Sequence, residues 1–323
     1  MFRTAKGVSD ARTGRSRGRA LAIFVTFASA FGTTRAGHAD GEPSTDPPGH
    51  HAHWDAGWTH SNPWDYALAG VSATTLIVEA IVLQPMRPPL RWTGPILFDA
   101  AVRSAVRTTN EGVRTTLEDV SWVLWGMQVA YPLLVDVPLV WAHGDYGLAR
   151  DLFWQDAFVL TFSGAVDFGL RELVGRARPL VYDCLSRGGT NCLDSNESTR
   201  SFPGGHVLNS TAASVLTCTQ HLYMDLYGGP WDGVACATTL ASDLAIAVMR
   251  TVSDNHWATD QVAGMAIGGL IGWGMPYVMH FRNHQDPAHA KGDADASESP
   301  TVIAVPMPMY FEHGGGLEVA GIF

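Results

Sequence analysis

The sequence predicts an all-α protein: an up-and-down helical bundle of about six or seven long helices, followed by a small C-terminal β-hairpin. Hydrophobic residues make up 46% of the 323 residues and charged residues only 16%, below the roughly 25% usual in soluble domains. Long apolar stretches between residues 64 and 282 are typical of a large bundle or of membrane helices. The formal net charge of -10 argues against nucleic acid as a partner.

The N-terminal residues 1–39 have the pattern of a signal peptide or N-terminal anchor. Basic residues up to Arg19 precede an apolar run at 21–28 and small residues before Asp40. This pattern indicates export. Residues 40–63 are rich in Pro, Gly, Asp and His and are predicted to be a disordered linker. A metal-binding histidine tract is the weaker alternative, because no spaced carboxylate or cysteine accompanies it.

The helical domain is predicted to span 64–282. One of its segments, Val262–Met279, is 18 residues long and uncharged, at the threshold for a transmembrane helix. Other apolar stretches are interrupted by an acid, at Glu79, Asp136, Asp167 and Asp243, which leaves open whether the bundle is membrane-inserted or soluble. A polar linker at 283–300 precedes a tail at 301–323 that alternates around three consecutive glycines, as in a β-hairpin. The individual helices are expected near 65–85, 95–107, 117–142, 150–177, 206–227, 231–251 and 256–281.

The four cysteines fit an oxidising compartment. Cys184 and Cys192 flank a polar loop and are expected to be able to close it as a disulfide. Cys218 and Cys236 lie in apolar helical stretches, where free, inert thiols are at least as consistent with the pattern as a bridge.

Two stretches point to an anion site. Arg171 and Arg178 are seven residues apart, so both are expected on one face of the helix that Pro179 ends. Gly204 and Gly205 precede a helix that begins near His206, where backbone amides can approach an anion. The ordinary explanations are a basic last helical turn and a common loop-to-helix junction.

A third stretch adds a nucleophile. Arg250, His256 and Asp260 follow one another at offsets of six and four. If a helix begins near His256, Asp260 lies one turn later on the same face and holds one ring nitrogen, leaving the other free to attack. The alternative is a chance pair on a surface helix. In an up-and-down bundle all three stretches meet at one end, and together they indicate phosphoryl transfer.

These stretches resemble the signature of the type 2 phosphatidic acid phosphatase and vanadium haloperoxidase superfamily. That signature is Lys-x6-Arg-Pro, Pro-Ser-Gly-His and Ser-Arg-x5-His-x3-Asp, and here it covers about 150–282. The resemblance implies that His256 forms a phosphohistidine, that Asp260 orients it and that His206 protonates the leaving oxygen. It also implies a phosphate clamp without metal or other cofactor, made by Arg171, Arg178, Arg250 and the amide of Gly205.

The match departs from the signature at three positions. Arg171 replaces the lysine, Gly204 replaces the serine of the second motif, and Met249 replaces the serine of the third. The serine hydroxyl is expected to donate to the phosphate, so a Gly204→Ser substitution is expected to raise turnover.

The sequence therefore predicts an exported, membrane-associated phosphatase acting on phosphomonoesters or pyrophosphates, with lipid phosphates favoured. Two alternatives remain. A phosphate- or lipid-headgroup-binding protein without turnover is supported by Gly204 but not by the retained His206 and His256. A vanadate-dependent haloperoxidase would use the same oxyanion site, but the modest length and the replaced lysine and serine argue against it.

Overall fold

The computed structural model describes residues 52–282 in full and the backbone of two strands near the C-terminus. Within 52–282 the chain is helical, which confirms the fold class for this part. The elements in chain order are α1 (Pro63–Val82), α2 (Asp99–Val106), α3 (Glu111–Tyr131), a π-helical turn (Pro132–Asp136), α4 (Val137–Ala142), α5 (Tyr146–Val174), α6 (Pro179–Ser186), α7 (Gly205–Met224), α8 (Pro230–Val252), α9 (Ala258–Pro276), a second π-helical turn (Tyr277–Phe281), β1 (Ile303–Phe311) and β2 (Gly314–Ile322).

Helix α7 lies at the centre and packs against α5, α8 and α9. Its contact with α9 is close because glycines recur there every four residues. A Cβ added at Gly268 would lie 2.3 Å from the carbonyl oxygen of Leu208, and one at Gly272 would lie 2.4 Å from that of Ala212. Small residues at this spacing let two helix backbones approach each other. The start of α7 is thereby fixed against α9.

Two of the predicted helix boundaries that are wrong lie beside the site. Helix α5 ends at Val174, because Gly175 adopts a left-handed conformation (φ 56°) and caps it. Arg178 therefore lies in an extended segment and not on the same helix face as Arg171. Helix α9 begins at Ala258, so His256 belongs to the loop before the helix.

The disordered linker predicted for residues 40–63 is too long at its C-terminal end. Residues 52–62 lie against the end of the bundle that carries Met224 and Phe281: the amide of His53 donates to Met224 at 3.0 Å, and the ring of Trp58 lies 4.8 Å from that of Phe281. Trp54 and Trp58 provide the apolar surface that makes this docking favourable. Residues 40–51 lie outside the described part of the chain.

Four helical stretches are long and apolar enough to cross a membrane: 63–82, 111–142, 230–252 and 258–281. Only 17% to 33% of their most apolar windows is buried in the protein. Large apolar side chains are exposed on all four, among them Val71, Ile77, Ile81, Val123, Met127, Leu134, Val234, Leu240, Val248, Leu270, Trp273 and Val278. Apolar surface of this extent is consistent with a membrane protein.

Both cysteine pairs form disulfides. Cys184–Cys192 closes the loop after α6, as the sequence suggested. Cys218–Cys236, which the sequence left open, links α7 to α8. Disulfides persist in oxidising compartments.

Strands β1 and β2 pair antiparallel, from Ile303 opposite Ile322 to Phe311 opposite Gly314. The turn at 312–313 lies outside the described residues, so the hairpin tail and its packing stay predictions. The same holds for the signal segment at 1–39 and the polar linker at 283–300.

Candidate active site

A pocket of about 340 Å³ lies at the end of the bundle where α7 begins. Six of the seven predicted site residues line it, and Asp260 does not. The six are Arg171, Arg178, Gly205, His206, Arg250 and His256. Sequence reasoning did not find the remaining wall, which consists of Gln84, Glu118, Trp122, Trp125, Asp167, Phe168, Glu197 and Asn209.

The helix ends bring the three sequence stretches together. Arg171 lies in the last turn of α5 and Arg250 in the last turn of α8. Gly205 and His206 form the first turn of α7, whose amide groups lack helical partners and favour a negative charge. Arg178 and His256 lie in the connecting segments. The site therefore consists of helix termini and of the segments that connect them.

Two of the pocket arginines are held by carboxylates. Arg171 donates from Nε to Asp167 at 2.8 Å, and its Nη2 lies 2.6 Å from the other oxygen. Arg178 donates to Glu197 at 2.5 Å and to the side chain of Asn255 at 3.1 Å. These bonds fix both guanidinium groups before any ligand binds.

Arg250 is held differently. Its Nη2 lies 3.4 Å from Nε2 of His256, and its Nη1 lies 4.0 Å from the carboxylate of Glu118, beyond hydrogen-bond distance. Among residues 52–282, its Nε and Nη1 have no hydrogen-bond partner although both are buried. The same is true of Nε of Arg178 and Nε2 of His206. Buried polar groups without partners are costly, and an oxyanion in the pocket would satisfy them.

The ring of His256 is fixed by a backbone carbonyl. Its Nδ1 lies 2.6 Å from the carbonyl oxygen of Ser201, and since a carbonyl only accepts, Nδ1 carries the proton. Nε2 therefore presents its lone pair beside Arg250. Burial and the charges of Arg178 and Arg250 lower the pKa of His256 well below its usual value. The imidazole is thus neutral and has a nucleophilic nitrogen available.

The predicted contact of Asp260 with His256 is wrong. The Asp260 carboxylate accepts hydrogen bonds from the Ser201 hydroxyl at 2.6 Å and from the Trp257 amide at 3.1 Å, as well as from Arg176. It acts on His256 only through Ser201, which binds Asp260 with its hydroxyl and His256 with its carbonyl. Because α9 starts after His256, Asp260 caps that helix and does not share a helix face with the histidine.

Arg176 also supports the site, although the sequence did not predict it. It is fully buried and pairs with both Asp260 and Asp99. Its guanidinium lies 3.9 Å from the centre of the Trp92 ring. No local sequence signal marks it, because its acidic partners are 77 and 84 positions away.

The expectation for Gly204 is also wrong. Gly204 has φ 66°, a left-handed conformation that strains other residues. A Cβ there would meet Oε1 of Gln261 at 2.6 Å and the carbonyl oxygen of Asp260 at 3.1 Å. A serine hydroxyl at this position would have to displace those groups and does not face the pocket. We therefore no longer expect Gly204→Ser to raise turnover.

His206 lies among aromatic rings. The centre of its ring is 4.1 Å from that of Trp122 and 5.5 Å from that of Trp125. Burial lowers its pKa well below the usual value, and the charges of Arg250, Arg171 and Arg178 lower it further. Without a bound anion His206 is therefore neutral, and a bound anion would favour its protonation.

Residues 153–284 match the model of the PAP2 superfamily, the type 2 phosphatidic acid phosphatases. The match covers less than half of the chain, which is similar to this superfamily over that range. No curated protein and no solved structure matches the chain significantly. The PAP2 region contains every predicted site residue, and its family supports a phosphatase class. Within the described residues, no group of three or more His, Cys, Asp or Glu side chains is placed to hold a metal ion; independence from metals stays a prediction.

A Gly205→Ala substitution tests whether the pocket requires the close approach of Arg171 and Asp167 to the first turn of α7. The added Cβ would lie 1.7 Å from Nη2 of Arg171 and 2.2 Å from Oδ2 of Asp167, so that ion pair must move. We expect the affinity for inorganic phosphate, measured by titration calorimetry, to fall at least about tenfold, or about 1.4 kcal/mol. Gly233→Ala on α8, where a Cβ meets open space, is the matched control. Equal affinity in both variants would contradict this geometry.

Proposed function

We propose that the protein is an exported, membrane-associated phosphatase that hydrolyses phosphomonoesters or pyrophosphates, with lipid phosphates favoured, through a phosphohistidine intermediate. The observation that carries the proposal is the state of His256. Its Nδ1 donates to the Ser201 carbonyl, so Nε2 carries an unprotonated electron pair. This nitrogen lies 3.4 Å from Nη2 of Arg250 and beside guanidinium nitrogens that lack partners.

In the first step, Nε2 of His256 attacks phosphorus and forms an N–P bond, while the P–O bond to the leaving group breaks. His206 takes up a proton from solvent when the phosphate group binds and neutralises the arginines. The leaving oxygen takes the bonding electron pair and this proton from Nε2 of His206. The proton on Nδ1 stays with His256 and continues to bind Ser201. The Asp260 carboxylate, bound to the Ser201 hydroxyl, offsets the positive charge that develops on the ring.

In the second step, a water molecule attacks the phosphohistidine. Neutral His206 now accepts a proton from the water, the N–P bond breaks, and inorganic phosphate leaves. Both histidines return to their starting states. The net reaction is hydrolysis of the ester or anhydride by one water molecule.

The arginines stabilise the transferring group. Arg171 and Arg178 are positioned by Asp167 and Glu197, so no reorganisation is needed when charge spreads over the phosphoryl oxygens. Arg250 brings donors that have no other partner among residues 52–282. The first-turn amides of α7 add backbone donors. Guanidinium groups thus supply the charge neutralisation that metal ions supply in two-metal phosphatases.

Three observations support the cellular setting. The N-terminal pattern at 1–39 is that of an export signal. The two disulfides fit an oxidising compartment. The four long apolar helical stretches with exposed apolar side chains fit a membrane environment, and hence lipid phosphates as substrates.

The binding-only alternative loses its main argument. It rested on a missing hydroxyl at Gly204, but a side chain at that position points towards Gln261 and the Asp260 backbone. The pocket retains an oriented nucleophile that binding alone does not require.

Phosphate release by the purified protein tests the proposal directly. We expect phosphate release from a lipid phosphate, a prenyl pyrophosphate and a soluble monoester. This activity should persist in EDTA, because arginines and not metal ions neutralise the charge of the phosphate. His256→Ala should lower the rate about a thousandfold or more. His143→Ala, at an exposed histidine after α4, is the matched control. Equal rates in the two variants, or activity restored only by added metal, would contradict the proposal.

The pH dependence tests the role of His206. The pKa of this group is lowered in the empty pocket, so the free enzyme loses the protonated acid as the pH rises through that low value. Bound phosphate neutralises the arginines and raises the pKa again. Since kcat/KM reports the free enzyme and kcat the complex, we expect the alkaline limb of kcat at a higher pH than that of kcat/KM. If the alkaline limbs of kcat and kcat/KM coincide, or if their order is reversed, His206 is not the acid.

A further inference from the structure

We infer that Glu118 and Trp122 form a subsite for an ammonium group on the leaving-group side of the pocket, so that the preferred substrates are phosphomonoesters of amino alcohols. This inference rests on the proposed phosphatase function and names its substrate class. It follows from the position of the leaving group, from the arrangement of Glu118 and from the charges around the pocket.

The position of His206 locates the leaving group. The oxygen that it protonates must lie next to its ring, so the alcohol attached to that oxygen extends among the neighbours of His206. The ring of Trp122 is one such neighbour, with its centre 4.1 Å from that of His206. Trp122 is also 50% exposed. Part of its indole is therefore available to a bound molecule.

Glu118 lies one helical turn before Trp122 on α3, and both side chains line the pocket. A carboxylate next to an indole combines the two groups that bind an ammonium: a hydrogen-bonding anion and an aromatic ring that attracts cations. Since Trp122 contacts His206, such an ammonium would lie close to the leaving oxygen.

Glu118 differs from the other two acids of the pocket. Asp167 and Glu197 accept direct hydrogen bonds from their arginines, at 2.8 Å and 2.5 Å. Glu118 lies 4.0 Å from Arg250, and its side chain is 30% exposed. It makes no hydrogen bond with another side chain of residues 52–282. Its carboxylate is therefore available to a ligand.

Substrate binding increases the need for a cation at Glu118. Three arginines and three carboxylates line the pocket, so their formal charges cancel. A phosphate dianion that binds Arg250 brings two negative charges close to Glu118. An ammonium on the same substrate compensates one of them at the place where the repulsion is greatest. Neutral alcohols offer no such compensation.

The amine has two possible sources, a soluble amino-alcohol phosphate or a lipid phosphate with an amine near its head. Both present the same ammonium and phosphate to the pocket. Two pairs of substrates test whether an amine is preferred and which source it has. The soluble pair is 2-aminoethyl phosphate and propyl phosphate. The lipid pair is a long-chain 2-aminoalkyl phosphate and its amine-free counterpart, both in detergent micelles. The amine comparison tests the subsite, and the chain-length comparison identifies the source.

We expect the wild-type protein to prefer the amine in both pairs by about tenfold or more in kcat/KM. In Glu118→Gln this ratio should fall to about one, because the amide keeps the shape but not the charge. Asp119→Asn is the matched control: Asp119 is the next residue on the helix and is exposed, so its loss should leave the ratio intact. An amine preference that is absent in the wild type, or that survives in Glu118→Gln, overturns the inference.

Equilibrium binding separates this inference from the phosphatase proposal. Calorimetry with 2-aminoethyl phosphate and propyl phosphate is carried out on His256→Ala, with and without Glu118→Gln. If the wild type hydrolyses none of the four substrates, but His256→Ala binds the amine more tightly and loses this preference with Glu118→Gln, the subsite stands and the phosphatase proposal fails. If hydrolysis occurs without an amine preference, the phosphatase proposal stands and the subsite is wrong.

Discussion

The buried ion network around Arg176 is the constraint on which the site depends. Arg176 is fully buried, and it joins Asp99 at the start of α2 to Asp260 in the first turn of α9. Trp92 and Trp257 cover its guanidinium. Removing one partner of such a network leaves a buried charge uncompensated, at a cost of about 3–5 kcal/mol. The network fixes Asp260, which binds Ser201, and Ser201 in turn fixes the ring of His256.

A second ion cluster supports the same loop from outside. Arg103 on α2 binds Asp254, two residues before His256, at 2.5 Å and Asp183 on α6 at 2.7 Å. Hydrogen bonds from Arg103 lower the pKa of Asp183 to about 2. This carboxylate is therefore charged at any pH at which the enzyme is expected to work. His256 thus lies on a short loop that is held at both of its sides, so its ring is positioned before a ligand binds.

The sequence could predict the pocket because each of the three motifs lies at a helix end, and these helix ends meet at one end of the bundle. Six of the seven predicted residues line it. The contact between Asp260 and His256 was wrong because a shift of two residues in the start of α9 changes which groups face each other. Arg176, Ser201 and Glu118 were not predicted, since their partners are distant in the chain and no local pattern pairs them. The same reason explains residues 52–62, whose tryptophans find their partners at Tyr223 and Phe281.

Detection of the covalent intermediate tests the central claim most directly. The purified protein is mixed with an isotopically labelled phosphomonoester, quenched in alkali within the first turnover, digested and analysed by mass spectrometry. The account predicts labelled phosphate on the peptide that contains His256, stable in alkali and lost in acid, and none in His256→Ala. Labelled phosphate on another residue, or turnover with no covalent phosphate in the first turnover, would contradict it.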